Sequence, residues 1–242
     1  MKHPNDIDDA REPGRVSRRA SLLRAGGIAA SVLGAGAAPA AADEKAGGGP
    51  AAVASGAITC VLAPEMTQGP YYLPNQKIRR DITGGMPGTP LALRLTVVSS
   101  TSCKGIKGAA VDIWHADAAG AYSGEQANGT VGRTFLRGIQ RTNEQGLAAF
   151  TTVYPGWYPG RAVHIHVIVH VGGSIIHTGQ LFFPDTLSDR VYKSTPYSTR
   201  GPRDVRNPAD SIYRNGGSKS TLNLHKTATG YAGAISMGIH HA

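Results

Sequence analysis

Tyr154-Pro155-Gly156-Trp157-Tyr158-Pro159-Gly160-Arg161-Ala162-Val163-His164-Ile165-His166-Val167-Ile168-Val169-His170-Val171 is the stretch on which the fold turns. β-Branched residues dominate Val163 to Val171, so this part reads as a strand. Side chains alternate across a strand with period two, which puts His164 and His166 on one face. From that spacing two imidazoles can reach one metal ion. The same pair also fits two solvated or internally bonded histidines, and the spacing alone does not decide between them. Upstream, Pro155, Gly156, Pro159 and Gly160 predict a turn-rich loop able to bring Tyr158 and Arg161 back over that face.

Working outward, short strands recur with turn signals between them. Leu91 to Ser99, Ala109 to Ala116, Phe135 to Thr142, Leu147 to Val153 and Ile175 to Phe183 all read as strands. In Ala109 to Ala116, Val111, Ile113 and His115 share one face and Asp112 and Trp114 the other. His115 is placed at the edge of the core. Asn143-Glu144-Gln145-Gly146 predicts a hairpin turn, and Gly172-Gly173 opens the strand Ile175 to Phe183. Asp185 to Tyr192 suits a short helix. Ser220 to Leu224 and Tyr231 to Gly238 suit a closing hairpin. The pattern predicts an all-β fold: a two-sheet β-sandwich of mostly antiparallel strands carrying long loops. No internal repeat of fixed period is present.

The N-terminal part has a different character. Arg18-Arg19 precede an Ala/Gly-rich, mildly apolar run from Ala25 to Ala38, then Ala38-Pro39-Ala40-Ala41-Ala42. This resembles a twin-arginine export signal with a small-residue cleavage site, although Ser21 stands where an apolar residue is usual. The apolar run is too short for a stable membrane span. The expected organisation is therefore a signal over 1–42, a flexible linker over 43–55, and a β-sandwich domain over 56–242, exported to the periplasm or beyond the cell. The chain carries 25 Lys and Arg against 16 Asp and Glu, a net charge of +9. No basic run is interleaved with aromatics, which argues against a nucleic-acid partner. Cys60 and Cys103 are the two cysteines. In an exported protein such a pair predicts a disulfide; two buried thiols are the alternative.

Tyr122 lies in a glycine-flanked loop and Tyr158 in the Pro/Gly loop. Both can converge on His164 and His166. Two phenolates with two imidazoles form a hard, anionic donor set suited to Fe(III). A bound trivalent cation would lower the phenol pKa enough to make phenolates at neutral pH.

Several strings, taken together, resemble the intradiol ring-cleavage dioxygenases. They are Gly69-Pro70-Tyr71-Tyr72, Asp112-Ile113-Trp114-His115-Ala116-Asp117 with Gly120-x-Tyr122, Phe135-Leu136-Arg137-Gly138, Tyr154 to Tyr158, and Arg161-x-x-His164-x-His166. The resemblance runs from about Cys60 to Phe183. It implies a non-haem Fe(III) held by Tyr122, Tyr158, His164 and His166, with Tyr158 the axial ligand. It implies that Arg161 stabilises negative charge developing on the substrate, and that Gln180 lies near the oxygen pocket. Tyr71 and Tyr72 match a stretch near the site entrance, although packing of the first loop explains them equally well. Phe182 stands where protocatechuate enzymes carry a tyrosine, which leaves the pocket open to several rings. The partners implied are a small aromatic diol and O2, with cis,cis-muconate-type products. A homo-oligomer is compatible with all of this. The competing reading is a non-catalytic, transthyretin-like sandwich that binds a partner, for which the tyrosine–histidine–arginine set has no use. His170 and His177 are read as surface or packing residues, and Asp117 as a structural acid.

Overall fold

In a computed structural model of the chain, residues 60–74 and 76–240 are described. The export signal (1–42) and linker (43–55) expected from the sequence lie outside them. Eight strands form two four-stranded sheets. In chain order they are β1 (Pro90–Ser99), β2 (Ala110–Trp114), β3 (Arg137–Arg141), β4 (Leu147–Val153), β5 (His164–Val171), β6 (Ser174–Phe182), β7 (Asn223–Lys226) and β8 (Tyr231–Ile239). Two short helices, α1 (Asp185–Val191) and α2 (Ser211–Arg214), lie between β6 and β7. No helix among the described residues is long and apolar enough to cross a membrane.

One sheet has the order β4-β1-β8-β7 and the other β3-β2-β5-β6. Leu91, Leu93, Leu95 and Val97 of β1 alternate inward against Val111 and Ile113 of β2 and Ile165, Val167 and Val169 of β5. Period-two patterning thus builds the inter-sheet core. All ladders are antiparallel except β1 with β8, which is parallel. The β5–β6 hairpin closes through Gly172-Gly173, both at positive φ (59° and 89°), the backbone that two-residue hairpin loops require.

Three expectations are corrected here. Asn143 to Gly146 is a tight turn, with Asn143 Oδ1 accepting from the Gln145 and Leu147 amides. It does not close a hairpin, because β3 pairs with β2 and β4 pairs with β1 in the other sheet. The turn carries the chain across the sandwich. His115 is not at the core edge but fully buried. Its Nδ1 donates to the Ala116 carbonyl at 2.8 Å, and Nε2 accepts from the Thr152 hydroxyl of β4 at 2.7 Å. The closing hairpin also pairs Asn223–Lys226 with β8, a little later than read. Cys60 and Cys103 form the expected disulfide, Cα–Cα 5.1 Å, tying the first described residue to the loop after β1.

Every residue of β5 from His164 to Val169 is buried. One face packs on the inter-sheet core. Loops bearing tyrosines cover the other, and Trp114, Ala116, Tyr122 and Ile168 form a second apolar cluster there, joined by Tyr71, Tyr72 and Tyr158.

Candidate active site

The outer face of the β3-β2-β5-β6 sheet carries a row of side chains set by register. Arg137 lies opposite Trp114, Trp114 opposite His166, and His166 opposite Gln180. Phe182 lies opposite His164 in the next row. Over these rows the loops deliver two phenols. Tyr158 Oη lies 3.1 Å from His164 Nε2, His164 Nε2 lies 3.1 Å from His166 Nε2, and His166 Nε2 lies 3.1 Å from Tyr122 Oη. Four donor atoms from two loops and one strand therefore meet at one place.

These donors fit a shared cation. His164 Nδ1 donates to the Ala162 carbonyl at 2.6 Å, which leaves Nε2 with a lone pair. His166 Nδ1 is buried with no partner among the described residues. If His166 carries its proton there, two lone pairs face each other across 3.1 Å. If it carries the proton on Nε2, Nδ1 is a buried acceptor without a donor. A cation between the two Nε2 atoms removes the repulsion. Neighbouring donors held about 2.1 Å from one ion at right angles lie about 3 Å apart, as here. Among the described residues no group of three or more His, Cys, Asp or Glu could hold a metal. Metal binding at this site thus depends on the phenols.

Electrostatics keep the histidines neutral. Burial, then the Arg161 charge, pushes His164 down to about 3. Burial, then His164, holds His166 well below its ordinary value. Burial raises Tyr122 well above the usual phenol range and also raises Tyr158, and Arg161 opposes both shifts. Both phenols thus stay protonated at neutral pH until a cation arrives.

The supports are specific. The Trp114 ring stacks on His166, centroids 4.9 Å apart and 5° from parallel. Tyr71 stacks on Tyr122 at 4.3 Å and meets Tyr158 edge-on at 6.0 Å, so it roofs the donors. Tyr72 packs against Trp114 instead. Buried Arg137 joins the Tyr71 loop to the Tyr122 loop: Nη1 donates to the Tyr71 carbonyl at 2.6 Å and Nη2 to the Ser123 carbonyl at 2.7 Å. Asp117 Oδ1 accepts from the Ala119 and Ala121 amides, shaping the turn into Tyr122, as its reading as a structural acid expects. Arg161 Nη2 donates to Gln180 Oε1 at 2.5 Å, and Gln180 Nε2 donates to the Thr67 carbonyl at 2.9 Å. Phe182 is wholly buried, its ring 5.9 Å from His164 and 5.2 Å from Tyr213.

The structure thus gathers Tyr71, Tyr122, Tyr158, Arg161, His164, His166, Gln180 and Phe182, and leaves Tyr72 one layer out. His177 is buried beside Glu65 (2.7 Å), and His170 pairs with Ala110 far along β5. Sequence reading gave Trp114 a face but no task. It gave Arg137 and Gly69 a motif but no role, and it passed over Asp210. Gly69 has φ +74°, and a Cβ there would sit 3.0 Å from His166 Cε1. Its place in Gly-Pro-Tyr-Tyr was the available signal.

A dioxygenase family model matches residues 67–196. An intradiol ring-cleavage dioxygenase from Tetranychus urticae is 36% identical, with TM-score 0.70, over 75% of this chain and 95% of that one. The chain belongs to the intradiol ring-cleavage dioxygenases. The dioxygenase domain of a dioxygenase carbohydrate-binding protein fusion from Streptomyces sp. SirexAA-E is also similar, 28% identical with TM-score 0.60, over 75% of this chain and all (100%) of that one. The 3-chlorocatechol 1,2-dioxygenase of Rhodococcus opacus 1CP shares the fold at 21% identity and TM-score 0.55, over 79% of this chain and 78% of that one. The matched family region ends before Asp210 and Tyr213, so those parts of this intradiol dioxygenase's site come from beyond it.

Proposed function

We propose that this protein is an Fe(III)-dependent intradiol dioxygenase that cleaves a catecholic ring with O2 between its hydroxyl-bearing carbons, giving a cis,cis-muconate-type product. One observation carries the proposal: Tyr122, Tyr158, His164 and His166 converge at 3.1 Å spacings beside the Arg161 guanidinium. Fe(III) on those four donors supplies Lewis acidity and an electron acceptor for the bound diol. The chain's own residues supply the rest. The Ala162 carbonyl and the Trp114 face fix the two imidazole rings. Tyr122 is wholly buried and holds its place, whereas Tyr158 is partly exposed. Tyr158 is therefore the phenol that can leave its place and hold a proton from the entering diol. Arg161 sets positive charge where the ring becomes electron-rich. Tyr71, stacked on Tyr122, and Phe182, beside His164, cover the donors with aromatic surface. The paired arginines and small-residue site before the linker support export, with extracellular aromatic breakdown as the setting.

The test is colour and oxygen uptake. Tyrosinate-to-Fe(III) charge transfer makes the iron-loaded protein burgundy, and Tyr158→Phe shifts the visible band. A panel of catechol, protocatechuate, hydroxyquinol and lignin-derived diols identifies the ring by O2 consumption. A colourless iron-loaded protein overturns the ligand set, and O2 uptake with none of these diols overturns the activity.

A further inference from the structure

Arg161 is held on one side only by the family motifs, through Gln180. On the other side it meets Asp210, which lies 49 residues along the chain. Asp210 is buried, with all its acceptor capacity in use. Its Oδ2 accepts from Arg161 Nε at 2.8 Å and from the Ala162 amide at 2.8 Å. Its Oδ1 accepts from the Ile212 and Tyr213 amides at 2.8 and 3.1 Å, capping α2. One carboxylate thus ties α2 to the turn that leads into His164. With Nε on Asp210 and Nη2 on Gln180, the guanidinium plane is fixed at two points. Arg161 Nη1 makes no hydrogen bond to a described residue and is left free for a ligand.

We propose that Asp210 is a positioning residue for the ring-opening reaction: it pins Arg161 against Gln180 so that the free edge of the guanidinium faces the bound diol. The proposal rests on the charge-stabilising role given to Arg161 above. The same segment also sets Tyr213, which follows the cap, edge-on against Phe182 at 5.2 Å. A bare capping role for Asp210 would need only Oδ1. Oδ2 instead points at the site.

Two substitutions separate these roles. Asp210→Ser keeps a capping hydroxyl for α2 and removes the oxygen that binds Arg161. Asp210→Asn keeps the size but turns an amide donor toward two donors. With iron-loaded protein and the best diol of the panel, kcat falls about tenfold in both while KM stays within threefold, because a misplaced charge is felt in the transition state. Asn207→Ala is the control. It loosens the same segment by removing the Nδ2 bond to the Phe183 carbonyl, and it lowers Tm without that loss of kcat. In an Arg161→Ala background, Asp210→Ser causes no further loss. A kcat within twofold of the parent for Asp210→Ser, or an equal loss in Asn207→Ala, overturns the proposal. A crystal structure of Asp210→Ser reads it without turnover. The contact of Arg161 Nη2 with Gln180 Oε1 is expected to break, and an unmoved Arg161 overturns the proposal. If the parent protein opens no diol, the reading of its function fails, yet that crystal structure still decides what Asp210 does to Arg161.

Discussion

Gly69→Ala probes the contact between the first loop and a candidate iron ligand. Gly69 sits at φ +74°, where an L side chain costs about 1–2 kcal/mol. The new methyl would also lie 3.0 Å from His166 Cε1. Carbon atoms pack best at about 3.5–4.0 Å, so the ring edge must give by about half an ångström. It has little room, because Trp114 is stacked on the ring and His164 Nε2 lies 3.1 Å from its Nε2. Gly85→Ala is the matched reference: φ is +76°, and no described residue lies within 4 Å of its Cβ. The backbone cost alone lowers Tm by about 2–8 °C in a domain of this size. Gly85→Ala should show that loss with full iron content. Gly69→Ala should lose more and release iron about tenfold more readily to a chelator, the scale expected when a ligand's support is disturbed. Differential scanning calorimetry and iron assay after chelator challenge read the two effects. Equal Tm and equal iron retention in the two variants would refute the claim that Gly69 is there to let the loop reach His166.

Other outcomes follow from buried groups. Arg137→Met strands the Ser123 and Tyr71 carbonyls inside the protein and should cost about 3 kcal/mol by denaturant midpoint, with Arg137→Lys recovering only part. Reducing the Cys60–Cys103 bridge, which closes a separation of 43 residues, should cost about 4 kcal/mol in the chain-entropy limit, read as a shift in midpoint with reductant. His115 is held neutral, its pKa pushed by burial from 6.5 down to about 4. Its contribution to stability is full above pH 6.5 and is lost as pH falls toward 4, up to about 3 kcal/mol. Stability of His115→Asn should therefore fall less steeply than that of the parent between pH 6.5 and 4.

Much of the site was legible because it is local or periodic. Strand parity alone puts His164 and His166 on one face, and the Pro/Gly content of 155–160 announces the loop that returns Tyr158. Tyr122 was a candidate from its glycine-flanked loop, but only the family resemblance tied it to His166, since no spacing rule connects positions 44 residues apart. The turn at Asn143 to Gly146 shows where local reading stops. Its chemistry is that of a tight turn, and nothing in those four residues tells whether the next strand stays in the sheet or crosses to the other. The burial of His115 had the same origin, because its partner Thr152 belongs to the opposite sheet.

By itself the sequence determined the β-rich class, the turn at Gly172-Gly173 before the next strand and the alternation that sets two imidazoles side by side. These follow from backbone sterics and a period of two, which act within a few residues. Only the tertiary structure decided which face of β5 became core and which became site. That choice depends on the registers aligning Arg137, Trp114, His166 and Gln180 across four strands, and on tyrosine loops covering that row. It also decided that Asp210, 49 residues beyond Arg161, should hold the guanidinium, because a charge pair formed by chain return leaves no periodic trace in the sequence.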